Sequence, residues 1–343
     1  MNMKSAVCSS FVLCAALCGM VVSLTHAGPA SASPPAEDCD EPVLQQVASF
    51  DPALGQLPES MTADDHGNLF VSTVGGAVFQ IAPDHTVTQV ATVILPTGGQ
   101  LTGIKVGPGG LLYISSASFT ADPPAAIVWR VNPRTGEFSQ FAALDPTGFP
   151  NDLVFDGDGN LLVSDPFLGQ IWQLDAQGNA GVWLSDPLLA GDPASPAFVG
   201  VHFFGVDGLA FDAQKRDLYI GNVDFGRVLV SSPRGRHGAR TLSVLAEDPA
   251  LKGIDGIALD RSGTVYAAVN TQNRLATVDR RGRVQVLTEG APLDSPSSFA
   301  FGTGRGDQHT LYVANFAIVS FLSGLPANPG VLSLRVQVPG APL

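Results

Sequence analysis

The sequence has 343 residues, of which 45% are hydrophobic and only 14% are charged, so it is too apolar for a disordered chain and must bury a large core. Its net charge is −13, with 31 acidic residues against 18 Lys and Arg, which argues against nucleic acid as a partner. Gly (38) and Pro (26) punctuate short apolar runs, and this pattern favours short strands and turns over helices.

The N-terminal segment is predicted to be a secretory signal peptide over residues 1–27. Lys4 supplies the positive charge, the run from Phe11 to Leu24 is almost entirely apolar, and Ala27 is a small residue suited to cleavage. Cleavage after Ala32 is the alternative. An uncleaved membrane anchor is disfavoured because the apolar run is short for a bilayer span.

The rest of the chain is predicted to be a flexible leader at 28–41 and one folded domain at 42–343. Three of the four cysteines lie in the predicted signal peptide, so Cys39 alone remains and no intramolecular disulfide can form. The domain must therefore be held by its own core. We expect a secreted or periplasmic monomer with no membrane segment after cleavage.

A repeat fills the predicted domain. Each unit contains an alternating strand, a tight turn rich in Gly and Asp, and a second strand of the type Leu-Tyr-Val, which together indicate an antiparallel hairpin. The six first strands open at Glu59, Thr102, Asn151, Asp207, Asp255 and Ser297. These positions are 42 to 56 residues apart, which is the length of one four-stranded propeller blade.

The two ends of the domain complement each other. An unpaired strand at 42–50 precedes the first hairpin, and only one strand, at 330–338, follows the sixth. We therefore predict that the N-terminal strand completes the last blade, because this closure removes the exposed edges of a linear array. The predicted fold is an all-β, six-bladed β-propeller.

The six residues that open the first strands are expected to meet at one mouth of the central channel. They comprise three carboxylates, one amide and two hydroxyls, without His or Cys. Calcium prefers such oxygen ligands, whereas zinc prefers nitrogen and sulfur. Facing carboxylates repel unless a cation or shared protons intervene, so we predict a divalent cation, Ca²⁺ first, with Mn²⁺ and Mg²⁺ as alternatives. The other interpretation is that polar residues merely begin each strand near solvent.

A second set of polar residues ends the second strands, at the same face of the propeller. They are Asp165, Asn222, Asn270 and Asn315. We expect them to line a pocket together with Thr102 and Ser297, or else to cap turns. His202 precedes Asp207 by five residues and would overhang this pocket as a base, unless it is an ordinary loop residue. Phe167, Phe203, Phe204 and Phe225 are expected to form an apolar rim, with burial in the core as the alternative.

The blade motifs resemble those of the senescence-marker protein (regucalcin)/gluconolactonase/luciferin-regenerating-enzyme family, with blades similar to NHL repeats. The resemblance covers essentially the whole predicted domain. It implies that Glu59, Asn151, Asp207 and Asp255 hold a catalytic divalent cation. Asp207 departs from the family pattern, in which the fourth blade usually supplies Asn, and therefore adds a negative charge.

The resemblance also implies an activity. The expected reaction is cation-dependent hydrolysis of a lactone or related ester, with a small molecule as substrate and the site at the channel mouth. Asp255 is the expected acid/base residue, and Asp207 could share that role. The alternative is a non-catalytic binding propeller of the NHL type, with a structural ion or none, because such relatives share the strand motif.

Overall fold

The computed structural model describes residues 43–118, 125–198, 203–234 and 239–342. The predicted signal peptide and leader, and His202, lie outside the described residues. Residues Glu41–Leu343 form one compact unit. Within the described ranges, no helix is long and apolar enough to cross a membrane.

Twenty-four strands account for about half of the described residues. Blades 1 to 3 contain β2 Pro58–Ala63, β3 Leu69–Thr73, β4 Ala77–Ile81 and β5 Val87–Thr92; β6 Gly99–Val106, β7 Leu112–Ser118, β8 Ile127–Val131 and β9 Phe138–Ala143; and β10 Leu153–Phe155, β11 Leu161–Asp165, β12 Gln170–Leu174 and β13 Ala180–Ser185. Blades 4 and 5 contain β14 Val206–Asp212, β15 Asp217–Asn222, β16 Arg227–Arg234 and β17 Ala239–Glu247; and β18 Ile254–Leu259, β19 Val265–Val269, β20 Arg274–Val278 and β21 Val284–Glu289. Blade 6 contains β22 Pro296–Phe301, β23 Thr310–Asn315, β24 Gly330–Arg335 and β1 Gln45–Ser49.

Helical segments are short. One α-helix, α1, spans Ile318–Leu322. Single 3-10 turns lie at Pro52–Leu54, Pro108–Gly110, Pro187–Leu189, Pro249–Leu251 and Asn270–Gln272. Three of these turns are capped by an Asp that precedes a Pro, with the carboxylate accepting a backbone N–H two residues later.

The predicted six-bladed propeller and its closure are both confirmed. The strands form six four-stranded antiparallel sheets, and five of them run in simple chain order from inner to outer strand. The sixth has the order β1-β24-β23-β22, and β1 pairs with β24 from Gln45 opposite Ser333 to Ser49 opposite Gly330. The N-terminal strand therefore supplies the outer edge of the last blade, next to the first blade.

The hydrophobic core lies between neighbouring sheets. One cluster joins Met61 and Val71 of blade 1 to Ala300 and Ala314 of blade 6. Corresponding clusters join each pair of successive blades, since alternate residues of each strand face the neighbouring sheet.

The inner strands are irregular where the predicted ring residues lie. In blades 1, 2, 4, 5 and 6 the pairing of the first two strands shifts at the ring residue, and in blade 3 the strand begins only after it. Such bulges release one or two residues from the ladder and redirect their side chains. The chain can therefore turn polar side chains towards the axis at this end of each inner strand.

Candidate functional site

The six ring residues are neighbours around the propeller axis. Ser297 Oγ donates to the Glu59 carbonyl oxygen at 2.5 Å, which joins blades 6 and 1. The Gly103 amide, directly after Thr102, donates to the Asn151 carbonyl at 3.1 Å. A Cβ on Gly208, directly after Asp207, would collide with the Asp255 carbonyl oxygen. The inner strands thus approach so closely that Gly208 leaves no room for a side chain.

The two hydroxyls of the ring are engaged with the backbone of the next blade. Thr102 is fully buried, and its Oγ1 lies 2.8 Å from the Pro150 carbonyl and 2.9 Å from Ser115 Oγ. Ser297 is also buried and donates to Glu59 as described above. These hydroxyls join adjacent blades in the structure.

The three ring carboxyls have raised pKa values. Burial is the largest cause for Glu59, Asp207 and Asp255, because the low-dielectric interior disfavours the charged form. Negative neighbours add to it: Asp255 raises the pKa of Glu59, and both Asp255 and Glu59 raise that of Asp207. Asp255 is only partly buried, whereas the other two are almost fully enclosed. Asp255 is therefore the ring carboxyl that is most open to a ligand.

A fourth carboxyl, Asp152, belongs to the same cluster and was missed in the sequence. Burial raises its pKa to about 6, and its charge in turn raises the pKa values of all three ring carboxyls. Its Oδ2 accepts the Leu209 amide at 2.7 Å and its Oδ1 the Leu153 amide at 2.8 Å. The hydrogen bond from the Leu209 amide therefore links blade 3 to blade 4. The sequence feature that distinguishes Asp152 is an acidic residue directly after the ring residue, at a position where three other blades have Gly.

Two buried oxygens at this end of the channel lack a hydrogen-bond partner within the described residues. They are Glu59 Oε2 and Asn270 Oδ1. The side-chain nitrogen of Asn270 does have a partner, since Nδ2 donates to Asp255 Oδ2 at 3.0 Å. Buried acceptors without a donor are costly, and each is a natural ligand for a cation. Together with the carboxyls whose pKa values are raised, these two oxygens form a set of ligands that is chemically suited to a divalent ion.

The carboxyls are electrostatically coupled without converging on one point. Among the described residues, no group of three or more His, Cys, Asp or Glu side chains is arranged to hold a metal ion. The remaining oxygen donors of the region are the amides of Asn151 and Asn270, which are both buried.

Three of the four residues predicted from the second strands act in turns. Asp165 accepts the Phe149 amide at 2.9 Å and Trp172 Nε1 at 3.0 Å. Asn222 Nδ2 donates to the Leu188 and Ala190 carbonyls at 3.1 and 2.9 Å. Asn315 Nδ2 likewise donates to the carbonyls of residues 292 and 328, and its Oδ1 accepts the amide of residue 294. Only Asn270 contacts a ring carboxyl.

An aromatic cluster lies beside blades 3 and 4. Phe149 stacks on Phe167 with ring centroids 4.9 Å apart, and Phe204 contacts Phe167 edge to face at 5.2 Å. Phe204 is buried in this cluster, whereas Phe203 is exposed. Phe225 packs under the Arg227 guanidinium at 3.9 Å. Of the four phenylalanines predicted to form one rim, Phe167 and Phe204 therefore pack together, whereas Phe203 is exposed and Phe225 packs on Arg227.

A family model described as SMP-30/Gluconolactonase/LRE-like region matches residues 128–316, more than half of the chain. No protein in the curated set matches the sequence.

Solved structures match the fold over most of the chain. A luciferin-regenerating enzyme is 16% identical with a TM-score of 0.62, covering 87% of this chain and 97% of its own. A calcium-binding protein, regucalcin, from Agrobacterium tumefaciens is 17% identical with a TM-score of 0.60, covering 85% and 94%. A gluconolactonase from Xanthomonas campestris is 16% identical with a TM-score of 0.59, covering 88% and 96%.

Proposed function

This chain belongs to the SMP-30/gluconolactonase/LRE-like family, and from this premise we propose that it is an exported, monomeric hydrolase of a lactone or related ester that depends on a divalent cation. Ca²⁺ is the first candidate, with Mn²⁺ and Mg²⁺ as alternatives. The observation that carries the proposal is Glu59: a buried carboxyl with an oxygen that has no partner among the described residues, whose pKa is raised by burial and by the charges of Asp255 and Asp152.

The cation would be held by oxygens of Glu59, Asn151, Asp207 and Asp255. Asn270 Oδ1 is a further oxygen without a partner among the described residues. When bound, a divalent ion supplies charge that neutralises the carboxylates and polarises a substrate carbonyl. Asp152 contributes negative charge, while its own oxygens remain on the amides of Leu153 and Leu209.

Asp255 is the proposed acid/base residue. Its carboxylate takes a proton from water as the water oxygen bonds to the lactone carbonyl carbon. The ring C–O bond then breaks, and the protonated Asp255 returns the proton to the leaving oxygen, which completes a hydroxy acid. Asn270 holds one carboxyl oxygen of Asp255 at 3.0 Å and fixes its direction. Asp207 is the other candidate for this role, although it is more deeply buried.

A non-catalytic NHL-type binding propeller is the second candidate function. It is favoured by the absence, among the described residues, of a tight cluster of three acidic or histidine side chains. In that case the ring holds a structural ion or none, and the channel mouth serves as a binding surface.

The test combines metal analysis with turnover. We expect one equivalent of divalent ion in the purified protein, hydrolysis of at least one member of a panel of sugar, aliphatic and aryl lactones and esters, and loss of hydrolysis in Asp255→Asn with the melting temperature retained. The matched control is Glu247→Gln, which removes a surface carboxylate paired with Arg227. An ion-free protein without turnover would refute the hydrolase and leave the binding propeller.

A further inference from the structure

A large cavity lies at the opposite end of the inner strands from the ring. Its volume is about 1000 Å³. It is lined by the later residues of the inner strands and by the turns that follow them, and none of the six ring residues lines it. A strand rises ~3.3 Å per residue, so wall residues three positions after the ring lie about 10 Å from it. The cavity and the ring are therefore separate sites.

One position of every inner strand lines this cavity, and only one of these six residues is charged. This position, the third after each ring residue, is occupied by Thr62, Lys105, Val154, Ala210, Ala258 and Ala300. Met61, Leu209, Ile257 and Phe299 add further apolar surface. The three alanines belong to blades 4, 5 and 6 and leave the wall of these blades free of large side chains at this position. The lining also includes the charged residues Asp64, Asp65, Arg134 and Asp156. Apolar walls with a few polar groups are usual for a small-molecule site.

Lys105 has no partner among the described residues. No hydrogen bond or ion pair is made by its ammonium there, although the side chain is mostly buried. Burial lowers the pKa of Lys105. The negative charge of Asp152, which lies on the ring side beyond ion-pair distance, raises this pKa. The ammonium is partly removed from water and has no counterion, and a carboxylate delivered by a ligand would give it a charged partner.

The acidic residues at the rim are engaged elsewhere. Asp64 accepts the His66 and Asn68 amides at 2.9 Å each, and the Asn68 side chain at 2.8 Å. Asp156 holds its own turn in the same way. These carboxylates stabilise hairpin turns and leave Lys105 unpaired. Asp65 and His66 are largely exposed, so the cavity opens to solvent at this rim.

We propose that this cavity is a second small-molecule site, which takes a carboxylic acid with an apolar tail. The carboxylate lies on the Lys105 ammonium, and the tail lies along Ala210, Ala258 and Phe299. The carboxylate neutralises the charge of Lys105, and the tail covers apolar surface of the cavity. The site does not depend on the ring or on any metal, so it stands or falls independently of the proposed hydrolase activity.

The experiment is calorimetric titration of the full mature chain with octanoate and 1-naphthaleneacetate, beside the matched neutral amides. We expect at least one acid to bind with one-to-one stoichiometry and its amide to bind at least about tenfold more weakly, as charge-assisted hydrogen bonds imply. Lys105→Met should lower the affinity for the acid by about the same factor, and Lys105→Arg should retain it within about threefold. Failure of both acids to bind, or unchanged affinity in Lys105→Met, overturns the proposal.

Two controls separate this site from the ring and from misfolding. Glu59→Gln should bind the acid as the wild type does. In the unmodified protein, the acid should protect Lys105 from an amine-specific reagent read by mass spectrometry, while Lys215 and Lys252 serve as internal references. Lys215 pairs with Asp212 at 3.0 Å and Lys252 binds Ser195, so both lie outside the cavity. Equal protection of all three lysines, or of none, contradicts the proposal.

Discussion

Glu59→Gln offers the sharpest test of the ring as a cation site, because the substitution removes a charge and keeps the shape. In the wild type, a ligand at one hundred times its dissociation constant adds about 2.7 kcal/mol to the free energy of unfolding. For a domain of roughly 300 residues, with an unfolding entropy of about 2.1 cal/mol/K per residue, that amounts to a rise of ~4 °C in melting temperature. In the variant we expect a rise below about 1 °C.

The metal-free variant should be at least as stable as the metal-free wild type. Glu59 is buried, one of its oxygens has no partner among the described residues, and Asp255 and Asp152 oppose its ionisation. A neutral amide avoids that repulsion. The assay is calorimetric melting of chelator-treated protein with increasing CaCl₂, with Glu247→Gln as the control. An equal calcium shift in Glu59→Gln and wild type would refute the assignment of Glu59, and no shift in the wild type would refute the cation.

Two further predictions concern stability. Asp165→Asn should lower the free energy of unfolding by about 1–3 kcal/mol, because the Phe149 amide and Trp172 Nε1 lose a charged acceptor, yet it should leave the calcium shift unchanged in the same melts. In the metal-free wild type, burial raises the pKa of Asp152 from 3.8 to about 6. Its contribution to the free energy of unfolding is therefore fully present below about pH 4 and is lost as the pH rises through about 6. Urea unfolding should show a loss of ~3 kcal/mol from this group between about pH 4 and pH 7, and a flat profile would contradict the burial of the cluster.

The fold was predictable because the repeat encodes each blade separately. Hairpin, turn and Leu-Tyr-Val strand recur six times, and the surplus strands at the two ends can only pair with each other. The residue that opens each inner strand was predictable for the same reason. The sequence prediction names one residue per blade, whereas the bulges release two consecutive residues in blades 2, 4 and 5. In blade 3 the inner strand begins only at Leu153, so Asp152 also lies outside the ladder beside Asn151, and a prediction of one residue per blade misses it.

The pocket residues were harder to predict, since a polar side chain at the end of a strand can face either the channel or its own connection. Asp165, Asn222 and Asn315 face backbone amides and carbonyls of the connecting loops. Asn270 differs because a 3-10 turn begins at this residue, and its amide reaches Asp255. Lys105 could have been found by aligning the blades, because five of the six corresponding positions are small or apolar.

Asp207 strongly affects the electrostatics of the ring, because its carboxyl faces the negative charges of three others. It is buried, and Asp255, Glu59 and Asp152 all raise its pKa after burial itself. Asp207→Asn keeps an oxygen ligand of similar size and removes one of four clustered charges. The metal-free variant should therefore lose less stability than the wild type as pH rises from about 5 to about 8, because fewer carboxyls must ionise against one another. Its calcium affinity should fall by about three- to tenfold, as one ligand charge is lost. Parallel urea unfolding and calcium titration of the two proteins measure both effects, and an unchanged pH dependence would show that Asp207 does not share the charge of the ring.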